Sequence, residues 1–396
     1  MYSKLMTLIA DSVELAAFCR RQAEADFVTV DTEFMRDRTY WPILCLVQVA
    51  GPEETVAIDP MADGIDLAPL YTLLADPGVL KVFHAARQDI EIFVNLTGKV
   101  PAPIFDTQVA AMVCGFGEAA SYETLANKLG GAHIDKSARF TDWAHRPLSE
   151  RQLHYALADV GPLRVVYEKL AARLHKTGRA SWLDEEMAAL TDPALYRLDP
   201  ATAWKRLKLR SNNRRMLALA HALANWRETA AQKRDLPRNR VLRDESLLEI
   251  AAHAPQNVEE LGRARGLGKG FAESKFGGEI LAVIEGVALM PDTDYPKPEP
   301  RREPPQGIGP LTDLLRVLLK LRAEENDVAA RLIADAEDLE LLAADDHADI
   351  RALTGWRNEI FGRDAIDLKH GRLALTAAGK HIKLVRSEAP ETQTAS

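Results

Sequence analysis

Cysteine is scarce in this sequence: three residues in 396, Cys19, Cys45 and Cys114. So few, so far apart, exclude both a disulfide framework and a zinc ligand set. All three read as buried thiols in a reducing cytoplasm. Also missing is any apolar run near the roughly 18–20 residues that a membrane-spanning helix needs. The opening MYSKLMTLIADSVELAAFCRR has only a short apolar stretch and meets acidic residues at once, which argues against a secretory signal. No short-period repeat is present. What remains is the make-up of an ordinary soluble globular chain, 47% hydrophobic and 27% charged, long enough for two or three domains.

An overall positive charge is lacking too, since the net charge is −8. The average hides its distribution. Residues 1–200 hold 19 basic and 28 acidic side chains, residues 201–290 hold 16 and 10, and residues 291–396 hold 15 and 20. Only the middle segment carries the positive footprint that phosphate binding favours. An acidic first segment still suits nucleic acid where metal ions mask some of its carboxylates.

Proline marks the clearest joint. PDTDYPKPEPRREPPQGIGP (291–310) is too rich in proline for helix or sheet and is expected to be an extended linker. A second boundary is expected near 198–203. Before it, strands alternate with helices. FVTVDTE (27–33), ILCLVQVA (43–50) and TVAID (55–59) are β-rich runs with short links, the pattern of an antiparallel meander. VLKVFH (79–84), a helical stretch over 87–96 and a turn, VPAPIFD, into another helix come next. Ser149 and Gln152 make a capping box. From there Leu153, Leu157, Val160, Leu163, Val166 and Leu170 keep helical spacing up to a stop at Gly178. Mixed strands with helices on their faces make an α/β domain. Beyond residue 200 the pattern is helical, through 201–290 and again over 311–385, with a flexible tail to 396.

Asp31 and Glu33 stand two apart on a strand, so their side chains share a face about 6–7 Å apart. Like charges this close raise one another's pKa unless a cation lies between them, and a hard, oxygen-liganded ion such as Mg²⁺ or Mn²⁺ answers that need. Asp89 falls in the first turn of a helix, where the dipole favours an acid. Tyr155 and Asp159 are four apart on the long helix and lie within about 40° of one face. Taken singly, each has an ordinary reading: a solvated strand end, a helix-dipole charge, a Tyr–Asp hydrogen bond. Together they make the set that two-metal phosphoryl hydrolysis uses, clustered carboxylates plus a group that orients water. Asp59 and Asp106 are expected in turn or cap roles.

VTVDTEFMRDRTYWPILCLVQVA, HAARQDIEIF and YALAD, in that order, resemble the three motifs of ribonuclease D, a family of the DEDD superfamily of 3′–5′ exonucleases. DKSARFTDWAHRPLSERQLHYALADV is similar to the family's approach to its third motif. The resemblance covers residues 1–290 and implies an RNase H-like mixed-sheet exonuclease domain over 1–200. It implies two divalent ions, Mg²⁺ or Mn²⁺, held by Asp31, Glu33, Asp89 and Asp159, with Tyr155 positioning water. Asp31 would bridge both ions, Glu33 and Asp159 would complete the nucleophile side, and Asp89 would serve the other. His154 also fits the spacing of the sister subclass, whose base is a histidine. On a continuous helix it lies about 140° from Asp159, so Tyr155 is preferred and His154 is expected at the surface.

Between 201 and 240 there are 11 basic residues against two acids, among them Lys205, Arg210, Arg214 and Arg215. Beside a nuclease domain this run is expected to meet the RNA backbone, with salt-dependent affinity. NWRETAAQKRDLPRNRVLRDESLLEIA is similar to the HRDC domain, which implies a small all-α nucleic-acid-binding module over 201–290. Residues 311–396 resemble a second, diverged copy, and their acidity points to a packing or ring-closing role. Phe34, Arg36, Arg38, Tyr40 and Trp41 follow the Asp-Thr-Glu strand and are candidates to stack and neutralise the 3′ end of a single strand. Gln48 and His84 are lesser candidates, and Trp226 is expected in the core. The reading is a monomeric, cytoplasmic 3′–5′ exoribonuclease that releases nucleoside 5′-monophosphates from tRNA precursors and other structured RNAs. The rivals are a DNA 3′–5′ exonuclease with the same ions and a non-catalytic RNA-binding protein.

Overall fold

The computed structural model describes residues 7–209, 211–298, 305 and 307–386. The expected meander is present, with β2 (Phe27–Met35), β3 (Ile43–Ala50) and β4 (Thr55–Ile58) pairing antiparallel in turn. Three strands add in parallel: β5 (Leu80–Phe83) on β2, β6 (Ile104–Asp106) on β5, and β1 (Thr7–Ile9) on β4. The sheet order is β1-β4-β3-β2-β5-β6. β1 and β6 are three residues each, too short to show a two-residue period, and β6 lies inside the stretch expected as a turn.

Alternation along β2 splits its side chains between two layers. Val28 and Val30 enter one core with α1 (Ser12–Gln22), α2 (Ala68–Ala75) and α3 (Arg87–Thr97), where Leu15, Phe18, Leu70, Ile90 and Phe93 are buried. Each such side chain contributes about 1.5–3 kcal/mol on burial. The opposite face lies under α6 (Glu150–Thr177), which follows α4 (Thr107–Val113) and α5 (Tyr122–Leu125). The predicted capping box at Ser149 and Gln152 starts α6, and Gly178 ends it at a φ of 68°. Thr29 donates to the Val160 carbonyl at 2.8 Å, locking α6 against the sheet.

After α7 (Asp184–Thr191), α8 (Arg214–Arg234) leads a helical unit whose core holds Leu219, Leu223, Leu247, Ile250, Ile280 and Ile284. Trp226 packs against it and donates to Glu279 at 2.9 Å. Much of the proline-rich linker, residues 299–304 and 306, and the tail after 386 lie outside the described residues.

The last third departs from the all-helical expectation. Helices occupy Gly309–Glu325, Ala336–Ala344 and Arg363–Lys369, but Leu373–Ala378 and His381–Arg386 form an antiparallel hairpin, β7 and β8. Alanine and lysine mask its strands, since both are poor β formers. The signal was Gly379-Lys380, a two-residue loop with glycine at a φ of 65°. This third packs on the exonuclease layer: Leu315, Leu318, Leu332 and Ile333 share one core with Ala111, Val113, Leu170 and Leu174. Arg357, fully buried, donates to the Leu332 carbonyl at 2.6 Å and pairs with Glu185 and Glu186 of α7. Trp182 stacks on Trp356 with centroids 4.1 Å apart.

Candidate active site

Asp31 and Glu33 project from the α6 side of β2, opposite Gln48 and Leu46 of β3, and the register shifts just after Glu33. α6 lays Asp159 onto them, so that one donor oxygen from each of the three acids lies within 4.8 Å of the others. Tyr155, one turn earlier, hydrogen-bonds Asp159. Asp89 arrives from the first turn of α3 and is buried, its carboxylate accepting the Thr32 hydroxyl. All five residues line one cavity of about 690 Å³. His154, by contrast, is exposed and lines a separate, smaller cavity.

The acids ranked as turn or cap residues hold this arrangement from behind. Asp106 caps α4, taking the Gln108 N–H at 2.8 Å, and also accepts from Ala85 and Ala86 at 3.1 and 2.9 Å. Ala85 has a φ of 60°, an uncommon conformation for alanine that these bonds sustain at the β5–α3 turn. The turn aims Asp89. Asp59 pairs with Arg146 at 2.7 Å, anchoring the chain before α6. Tyr122 donates to the Ala158 carbonyl at 2.8 Å, beside Asp159.

Burial is the main reason the carboxyls resist ionisation. It pushes Asp159 up to about 7, with the Tyr155 hydrogen bond opposing. Burial, then the charge of Asp31, pushes Glu33 up to about 10. Asp31 is raised well above the usual carboxylate range by burial and by Asp159, and Asp89 by burial and by Asp31. None of the four forms an ion pair among the described residues. Gln48, fully buried opposite Asp31, has neither amide atom bonded to protein. Converging oxygens without an ion-pair partner, with Arg139 and Lys136 acting on them only from a distance and an unsatisfied amide beside them, fit hard divalent cations.

The remaining candidates divide. Phe34 lines the cavity, and Arg38 is exposed, 3.4 Å from Asp37. Tyr40 corrects its expectation: it is buried, its hydroxyl bonded to Glu228, Gln232 and Arg238 of the helical unit, so it presents no stacking face. Arg36 pairs with Glu91 at 2.6 Å. Lys205 and Arg215 are exposed, whereas Arg214 is tied to the Tyr295 carbonyl at 2.6 Å, a structural role. Arg210 lies outside the described residues. His84 lines the cavity, its Nδ1 3.0 Å from the Thr107 hydroxyl. Sequence reasoning missed Tyr122, Lys136, Arg139 and Phe140, which also line it. The last three sit in the stretch read only as an approach to the third motif, whose paired cations and aromatic were the available signal.

A 3′–5′ exonuclease family model matches residues 6–175, and an HRDC domain model matches residues 216–284. The chain is 52% identical over 380 residues to the ribonuclease D of Granulibacter bethesdensis, and 53% identical over 382 residues to that of Acidiphilium cryptum. Each alignment covers 96% of both proteins. The fold is similar to that of Escherichia coli RNase D, described as an exoribonuclease involved in structured RNA processing. There the TM-score is 0.79 at 29% identity, over 93% of this chain and 99% of that one. With likeness running through catalytic and helical parts alike, the chain belongs to the ribonuclease D family of 3′–5′ exoribonucleases.

Proposed function

We propose that Asp31, Glu33, Asp89 and Asp159 hold two divalent ions, Mg²⁺ or Mn²⁺, and that this site removes nucleotides one at a time as 5′-monophosphates. The convergence of the Asp31, Glu33 and Asp159 oxygens within 4.8 Å carries the reading. When bound, such an ion pair activates water and neutralises the charge on the leaving oxygen. Asp31, whose charge acts on both Glu33 and Asp89, would help hold both ions. Glu33 and Asp159 would hold the ion on the nucleophile side, and Asp89, oriented by Thr32, would hold the other. Tyr155 orients the attacking water, and its phenol stays protonated because burial, then Asp159, raises its pKa.

Residues 1–200 form the exonuclease domain in this reading, 201–290 an HRDC-type module that adds RNA contact, 291–310 a linker, and 311–396 a second helical, HRDC-like unit that braces the exonuclease domain. Exposed Lys205 and Arg215 support backbone contact by the module. Structured 3′ ends such as tRNA precursors are the proposed substrates, in the cytoplasm, where three free buried thiols are at home. Digestion of 5′- and 3′-labelled tRNA precursor with Mg²⁺, Mn²⁺ or EDTA tests polarity, metal need and product size together. Loss from the 3′ end that EDTA abolishes is expected, whereas cleavage that persists in EDTA would refute the ion assignment. A circular RNA should survive, and its degradation at the linear rate would refute end-dependence.

A further inference from the structure

Phe140 is 92% exposed, more than any other large hydrophobic side chain among the described residues, and it lines the same cavity as the four carboxylates. Single apolar side chains on a surface are ordinary. This one is held out on a fixed segment. Ile134, Ala138 and Trp143 on either side of it are buried. Gln152 of α6 donates to the Thr141 hydroxyl and the Asp142 carbonyl, 3.2 Å each, and Arg151 donates to the Ser137 hydroxyl at 2.9 Å. The ring therefore stands at the cavity mouth on a scaffold clamped to the helix that carries Tyr155 and Asp159. Arg139 lies 5.3 Å from its centroid, and Lys136, paired with Glu123, lines the cavity too.

An open aromatic face beside two cations is what an unpaired nucleotide needs, a surface for the base and charge for its phosphate. Phe34, the other phenylalanine of the cavity, packs against the core and offers less surface. We propose that Phe140 stacks on a base within the last two nucleotides of the RNA, with Arg139 and Lys136 beside the adjoining phosphates. The inference rests on the carboxylate cavity being the hydrolytic site. Phe140 would be a substrate-positioning residue, which binds and steadies the end being cut.

The test uses the full-length protein, Mg²⁺ and short 5′-labelled single-stranded RNAs, intact or with one abasic nucleotide at the last or the next-to-last position. Phe140→Ala should lower kcat/KM on intact RNA by about ten-fold, mostly through KM, with Phe140→Trp near wild type and Phe140→Leu no better than alanine. The abasic nucleotide at the stacked position should bring wild type down to the Phe140→Ala rate and leave the variant unchanged. An Ala variant within about two-fold of wild type, or an equal loss on intact and abasic RNA, would overturn the proposal. Asp31→Asn, run alongside, separates the two ideas. Its activity reports on the carboxylate assignment, and the abasic comparison reports on Phe140.

Discussion

Asp235 accepts the backbone N–H groups of Tyr40 and Trp41, at 3.0 Å each, from the left-handed residue that ends α8. Glu228, one percent exposed on the same helix, takes the Tyr40 hydroxyl and pairs with Arg206 and Arg238. Together they pin the loop between β2 and β3, directly after the strand that bears Asp31 and Glu33. Asp235→Ala should destabilise by about 1–2 kcal/mol, the cost of two hydrogen bonds lost from one carboxylate oxygen. Glu228→Ala should cost about 2 kcal/mol, below a fully buried pair because both arginines reach water. Urea unfolding measures both, and kcat/KM on RNA should fall with the loop's order.

Asp31→Asn should abolish hydrolysis while leaving RNA affinity within about three-fold of wild type, because the charge proposed to hold both ions is lost and the shape is kept. Single-turnover cleavage and a binding isotherm with the same RNA decide it. Retained cleavage would contradict the metal assignment.

Metal removal should make stability depend on Asp159 in a particular pH window. Its folded value, about 7, lies above the ordinary 3.8. Below 3.8 the group is protonated in both states and contributes nothing. Between the two values the unfolded chain ionises first, so the folded state loses stability as pH rises, and above 7 the loss is complete. In EDTA, Asp159→Asn should thus melt higher than wild type at pH 8, with the gap closing towards pH 4. Mg²⁺ should reverse the order at pH 8, since only the carboxylate form is stabilised by the ion.

Tyr155→Phe removes a hydroxyl and little volume, so the fold should persist. A fall in kcat of about 100-fold or more is expected, with KM nearly unchanged, for a group that acts on the attacking water. A kcat within a few-fold of wild type would turn attention to His154.

The meander, α3, α6 with both its ends, and the grouping of acids were legible because each rests on local pattern: period two, period 3.6, a capping box, an acid in a first turn. The motif order then joined residues that lie far apart. What could not be read was tertiary. Tyr40 looked like a loop aromatic beside the site, and only its packing against Glu228 shows it occupied. Arg214 looked like a free cation until the chain after Ala288 returned to it. Phe140 carries no periodic signal, because exposure at the cavity is set by the surrounding anchors. The β7–β8 hairpin was hidden by composition, though its glycine turn was in view.

The shared core between the exonuclease layer and the final third has a consequence for biosynthesis. Chains leave the ribosome N-terminus first, and domains generally fold as units as they emerge. Here Leu170 and Leu174 share their apolar cluster with Leu315, Leu332 and Leu373. The nuclease part of a nascent chain therefore stays open on one flank until residues 315–373 have been made. That later segment, helices and the first strand of the hairpin together, seals it.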